Sequence, residues 1–183
     1  MRASTVPSDR LHSDSGPCYL HQVSKPMPFS SADARRALRV LPLVRLMVGL
    51  VFVSEGLQKF LFPALRGPGR FGEIGFPAPE FFGYGVGLVE VVCGVLLLIG
   101  LYTRWAAVPL IVIMLGALFT TKLPILLGHG FGPFGVRDLE VYGLWSMLHA
   151  ARTDWAMLLG SLILALAGPG PRSLDSLRRS PLV

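Results

Sequence analysis

Charge is scarce in this chain: only 15% of its 183 residues are Asp, Glu, Lys or Arg, where soluble domains carry about a quarter. Cysteine is scarcer still. Cys18 and Cys93 stand alone with no Cys-x-x-Cys pair, so dithiol exchange within the chain has no basis. Cys93 lies in an apolar stretch and reads as a small hydrophobe. The apolar stretches lack histidine. His12 and His21 precede them, and His129 and His149 flank the last two, so haem held between helices is not indicated and no metal site is expected. No Walker loop or nucleophile elbow appears. One literal G-x-G-x-x-G, Gly67-Pro-Gly-Arg-Phe-Gly72, follows an apolar stretch of helical length instead of a strand and is stiffened by Pro68. The dinucleotide fingerprint needs the opposite context.

What is abundant is apolar sequence: 52% of residues are hydrophobic and the mean hydropathy is +0.57. Four stretches account for the excess, at residues 40–62, 81–101, 106–127 and 155–167. About 20 apolar residues at about 1.5 Å per residue cross the hydrocarbon of a bilayer. The fourth stretch is short for this, so its helix is expected to start near Leu148. These features predict an all-α integral membrane protein, a four-helix bundle occupying residues 35–172. Residues 1–34, rich in Ser, Pro and charge, read as a disordered cytoplasmic tail with no apolar h-region ahead of the first long stretch. Residues 173–183 read as a short basic tail. The link at 102–105 is short enough to make the second and third helices antiparallel neighbours.

The net charge of +6 is informative through its placement. Arg35, Arg36 and Arg39 precede the first span, and Arg172, Arg178 and Arg179 follow the last. Basic residues flanking apolar segments report topology, and no folded polar surface is left to present a basic face to nucleic acid. With four spans, both termini share a side with Arg104. The opposite side holds Arg66, Arg70, Arg137 and Arg152 balanced by Glu73, Glu80, Asp138 and Glu140. The positive-inside rule then expects both termini in the cytoplasm and the chain in the inner membrane.

The candidate chemistry lies in the few charges inside the spans. At about 100° per residue, Arg45, Gly49, Phe52, Gly56 and Lys59 fall within about 80° of one another, with Glu55 at the edge of the stripe. In the second span Gly83, Gly87, Glu90 and Gly94 share a face, and small residues let helices approach closely in lipid. A charge near the bilayer centre costs at least about 2.5–3.5 kcal/mol when unpaired. Glu90 is therefore expected to meet a cation across the helix seam, in a buried polar cluster of Arg45, Glu55, Lys59 and Glu90 with Arg45 near one edge. Such a cluster is either a fixed network that sets helix packing or a proton-linked or quinone-facing pocket. Arg104, Arg152 and Asp154 are expected in the interfacial layer. So is Lys122, which falls off the face of Gly116 and Thr120 and would snorkel.

Three stretches together resemble the DoxX family of small bacterial four-helix membrane proteins. They are Arg45-Leu-Met-Val-Gly-Leu-Val-Phe-Val-Ser-Glu-Gly-Leu-Gln-Lys-Phe60, Ile74-Gly-Phe-Pro-Ala-Pro79 and Val89-Glu-Val-Val-Cys-Gly-Val-Leu-Leu-Leu-Ile-Gly-Leu-Tyr-Thr-Arg104. Arg152-Thr-Asp-Trp155 and Ser173-Leu-Asp175 are similar to the closing pattern of one branch, so the resemblance spans residues 38–175. The resemblance implies the fold and an association with redox systems. The family takes its name from a subunit associated with thiosulfate:quinone oxidoreductase, and other members look like membrane partners of oxidative-stress and thiol-redox proteins. It implies lipid as the surroundings, quinone as the cofactor to consider, and a redox or stress-response protein as partner. It defines no catalytic residue. A non-catalytic scaffold recruiting an enzyme is the alternative expectation. A small proton-coupled transporter is disfavoured because no inverted repeat or broken helix is evident.

Overall fold

The computed structural model describes residues 31–179. The expected tail falls mostly on residues outside this range, although α1 already begins within it. In order, the chain forms α1 (Ser31–Leu61), a short α2 (Pro68–Ile74), α3 (Pro79–Ile99) and α4 (Thr103–Ala117). A π-helical turn (Leu118–Lys122) continues α4 into α5 (Leu123–Leu127), and α6 (Leu144–Ala167) and α7 (Leu174–Arg179) follow. Among the described residues there is no strand.

Among the described residues, four segments are long and apolar enough to cross a membrane: Leu38–Leu61, Pro79–Ile99, Thr103–Leu127 and Leu144–Ala167. Their outward faces carry Leu43, Leu50, Leu88, Val112, Leu159 and Leu166, all exposed. In water so much contiguous apolar surface would drive association; in a bilayer it is the solvent-facing side. The chain is a multi-pass membrane protein.

The spans pack as a closed ring, α1 on α3, α3 on α4, α4 on α6 and α6 back on α1. Val48 and Phe52 of α1, Cys93 and Leu97 of α3, Leu110 and Met114 of α4, and Met157 and Leu164 of α6 fill its centre. The most extensive seam joins α1 to α3, and glycine makes it. A Cβ on Gly94 would lie 3.0 Å from the Gly49 carbonyl oxygen, and one on Gly56 would lie 2.6 Å from that of Gly87. Two glycine-on-glycine layers thus bring the backbones into contact. Gly83 does a different job: a Cβ there would lie 2.6 Å from the nitrogen of Pro68, so it seats α2 against α3. On the opposite side of α1, a Cβ on Gly160 would lie 2.6 Å from Val48 Cγ2, a contact with α6 that the sequence reading missed.

Three elements differ from the sequence reading. The connection at 64–80, expected as an irregular loop, contains α2, whose first residue Pro68 has the fixed φ that suits a helix start. The fourth span begins at Leu144, after Gly143, a turn before the expected Leu148. This carries Arg152 and Asp154 into the body of the helix. The expected basic tail contains α7 and is bound to the end of the bundle through Asp175.

Candidate functional site

Glu90 sits on the α3 face defined by Gly87 and Gly94 and is 2% exposed. Its Oε2 accepts a hydrogen bond from Lys59 Nζ at 2.5 Å. The pair spans the α1–α3 seam, with Lys59 in the last turn of α1. Gly56 makes the approach feasible, since a Cβ there would lie 2.9 Å from Glu90 Cβ. The Lys59 side chain is 12% exposed and that of Glu90 3%. Charge on both partners satisfies the requirement that a carboxylate within a span be neutralised.

Glu55, at the stripe's edge, is half-buried. It gives Lys59 only its backbone carbonyl, at 3.5 Å. The favourable i, i+4 spacing does not produce a side-chain pair here, because Lys59 reaches across the seam to Glu90.

Arg45 departs further from the expected cluster. It is buried at 6% exposure, but midway along α1, on the order of 20 Å from Lys59 at the helical rise. Its Nε donates to Leu97 O at 3.0 Å and its Nη1 to Pro169 O at 2.8 Å. Its Nη2 lies 3.4 Å from both Leu98 O and Arg172 O. These are the last carbonyls of α3 and the carbonyls of the segment after α6, groups that a helix end leaves unsatisfied. A cation there also meets the negative end of the α3 dipole. Gly100, in the left-handed region at φ 70°, admits the guanidinium, since a Cβ there would lie 2.7 Å from Nη1.

Asp175, singled out by the sequence only as part of a closing pattern, completes this lock. Its two carboxylate oxygens accept from the backbone N–H groups of Tyr102 (3.0 Å) and Thr103 (3.1 Å), while its own N–H donates to Gly100 O. A carboxylate at the first turn of α4 caps free donors and complements the helix dipole.

Lys122 and Asp154, both expected in the interfacial layer, form a pair that the sequence reading did not anticipate: Lys122 Nζ lies 3.2 Å from Asp154 Oδ2 and each side chain is one-fifth exposed. The contact is an ion pair without an aligned hydrogen bond. The π turn is the reason. Thr120 and Thr121 donate to Gly116 O and Ala117 O, and Pro124 withholds an N–H from the ladder. The widened turn shifts Lys122 from the azimuth a regular helix would give it and directs it at α6. Lys122–Asp154 thereby repeats the arrangement of Lys59–Glu90: a lysine late in an outgoing span reaches a carboxylate midway along the span that returns beside it.

Arg104 is exposed at the start of α4. Arg152 is exposed on α6 and packs its guanidinium on the ring of His149. Of the residues expected to pack helices, Gly49, Gly56, Gly87 and Gly94 lie in the α1–α3 seam and Gly83 against α2.

The family model described as DoxX matches residues 40–123, a segment that contains Arg45, Lys59, Glu90 and the π turn. The chain is 55% identical over 132 residues to "Uncharacterized membrane protein Rv3486" of Mycobacterium tuberculosis, covering 72% of this chain and 77% of that one. It is 32% identical over 134 residues to "Putative oxidoreductase CatD" of Bacillus subtilis, covering 73% of this chain and 82% of that one. No solved structure matches it significantly.

Proposed function

The chain belongs to the DoxX family, and on that premise we propose that it is a quinone-linked or accessory membrane component of a bacterial redox or oxidative-stress system. The observation that carries the reading is the Lys59–Glu90 pair, two ionisable groups held between two spans at 2.5 Å. Ionisable groups inside a bilayer are expensive to keep and mark proton or ligand pathways. The 12% exposure of Lys59 leaves an edge of the pair open to a quinone headgroup arriving from the lipid. The oxidoreductase designation of the Bacillus subtilis relative supports the same class. The chain sits in the inner membrane with both termini cytoplasmic, on the side collecting Arg39, Arg104 and Arg172.

The scaffold reading has its own observation in favour. The Arg45 and Asp175 contacts fix the end of the bundle that such a protein would present to a soluble redox enzyme.

One comparison separates the two readings. The full chain in mild detergent is titrated with a short-chain benzoquinone and a short-chain naphthoquinone. The quinone-linked reading expects saturable binding that Glu90→Gln weakens by about tenfold or more, the worth of one charge-assisted hydrogen bond, with helical content unchanged. No quinone binding by the unmodified chain, together with lower yield of the Glu90→Gln variant and co-purification of a soluble redox enzyme, supports the scaffold instead.

A further inference from the structure

At the end of the bundle where α3 gives way to α4 and α6 ends, a cavity of about 540 Å³ is lined by Arg39, Pro42, Leu43, Pro171 and Arg172. Its size falls in the range of small-ligand sites, about 300–1,000 Å³. From these linings we infer that it binds the headgroup of an anionic glycerophospholipid, with the phosphodiester between the two guanidinium groups and an acyl chain running down α1.

Charge is the first argument. Both arginines are exposed, and the ion pairs among the described residues, Lys59–Glu90, Arg70–Glu73 and Lys122–Asp154, leave neither with a carboxylate. Asp175 is nearby in the chain but is occupied by the first N–H groups of α4. Two free guanidinium forks favour a bidentate oxyanion. Depth is the second argument. Arg39 lies in the first turn of the Leu38–Leu61 span, where lipid phosphates sit. Leu43, one turn further in, is 66% exposed, and Leu46, Met47 and Leu50 continue an exposed apolar track below it. Basic pockets with an apolar track at this depth suit an anionic lipid.

The lock described above places the second arginine. Arg45 donates to the backbone carbonyls of Pro169 and Arg172, and Arg172 itself adopts a left-handed conformation at φ 61°. A bound lipid would thus bridge α1 to the segment that follows α6.

The test uses the delipidated full chain, to which phosphatidylglycerol or phosphatidylcholine is added at equal concentration. Retained lipid is read by native mass spectrometry and melting temperature by a thermal-shift assay. Phosphatidylglycerol should be retained about tenfold better than phosphatidylcholine, and Arg39→Gln/Arg172→Gln should remove about that factor, as expected for charge-assisted contacts. Arg104→Gln, which removes a cation from the same end but outside the cavity, should leave retention unchanged. Equal retention of the two lipids, or equal loss in the Arg104→Gln variant, overturns the site. A thermal shift reproduced by glycerol 3-phosphate alone overturns the lipid assignment in favour of a soluble phosphate.

Discussion

Replacing Glu90 by leucine is expected to destabilise the bundle by about 3–5 kcal/mol, because Lys59 then remains as an uncompensated charge in the seam. Lys59→Met leaves Glu90 in the same position and should cost a similar amount. The double variant should recover most of the loss, since removing both members of a buried pair and filling the space with apolar side chains is often neutral or stabilising. The two sites touch, so the single losses should fail to add, with a coupling of up to about 3 kcal/mol. Reversible unfolding in bilayers or mixed micelles measures all four forms. Additive losses would mean that the two charges are independently accommodated.

Gly56→Ala is the second large effect, and it isolates packing from charge. A Cβ at that position would lie 2.6 Å from the Gly87 carbonyl oxygen, 2.8 Å from Val91 Cγ2 and 2.9 Å from Glu90 Cβ. The first obstacle is backbone and has no rotamer to escape into, so the helices must separate and the Lys59–Glu90 contact lengthens with them. A loss of about 1–3 kcal/mol is expected from overpacking, with weakening of the ion pair added to it. Gly85 lies on the neighbouring helix α3, where an added methyl would meet nothing within 4 Å. Gly85→Ala should therefore be neutral or stabilise by up to about 1 kcal/mol through helix propensity. The same unfolding measurement on the two variants checks the contrast, and equal effects would contradict the glycine seam.

The four spans were legible because bilayer thickness dictates a length that apolar runs must meet. The direction of Glu90 was legible too. Gly87 and Gly94 on its face mark a close helix contact, and the cost of an unpaired charge requires a cation there.

What a helical wheel supplies is azimuth. It says nothing of depth, so Arg45 and Lys59, which share a stripe, are expected in one cluster although about 20 Å of α1 separates them. The partners of Arg45 are carbonyls at the end of α3 and after α6, groups that carry no side-chain signal in a sequence. Asp175 was hidden for a related reason: it caps a helix more than 70 residues away in the chain.

The pairing of Lys122 with Asp154 was not legible because the wheel assumes an unbroken 3.6-residue period, and the π turn at Leu118–Lys122 breaks it. The cue was present in Thr120, Thr121 and Pro124, residues that bond back along the helix or withhold a donor. Once Lys122 is turned toward α6, Asp154 has its counter-charge, and the helix can run unbroken from Leu144 through a position expected at the interface.

The central claim is that Lys59 and Glu90 are paired across the α1–α3 seam within the membrane. Lysine occurs in the chain at 25, 59 and 122, and among the described residues only Lys59 pairs with a glutamate. Nitrogen–carbon dipolar recoupling in bilayers, with lysine side-chain nitrogen and glutamate carboxyl carbon labelled, therefore reads this contact with little overlap. A strong coupling that vanishes in Lys59→Met is expected from an Nζ–Oε2 distance of 2.5 Å. A signal at the level of unpaired lysine, unchanged by that substitution, would contradict the account.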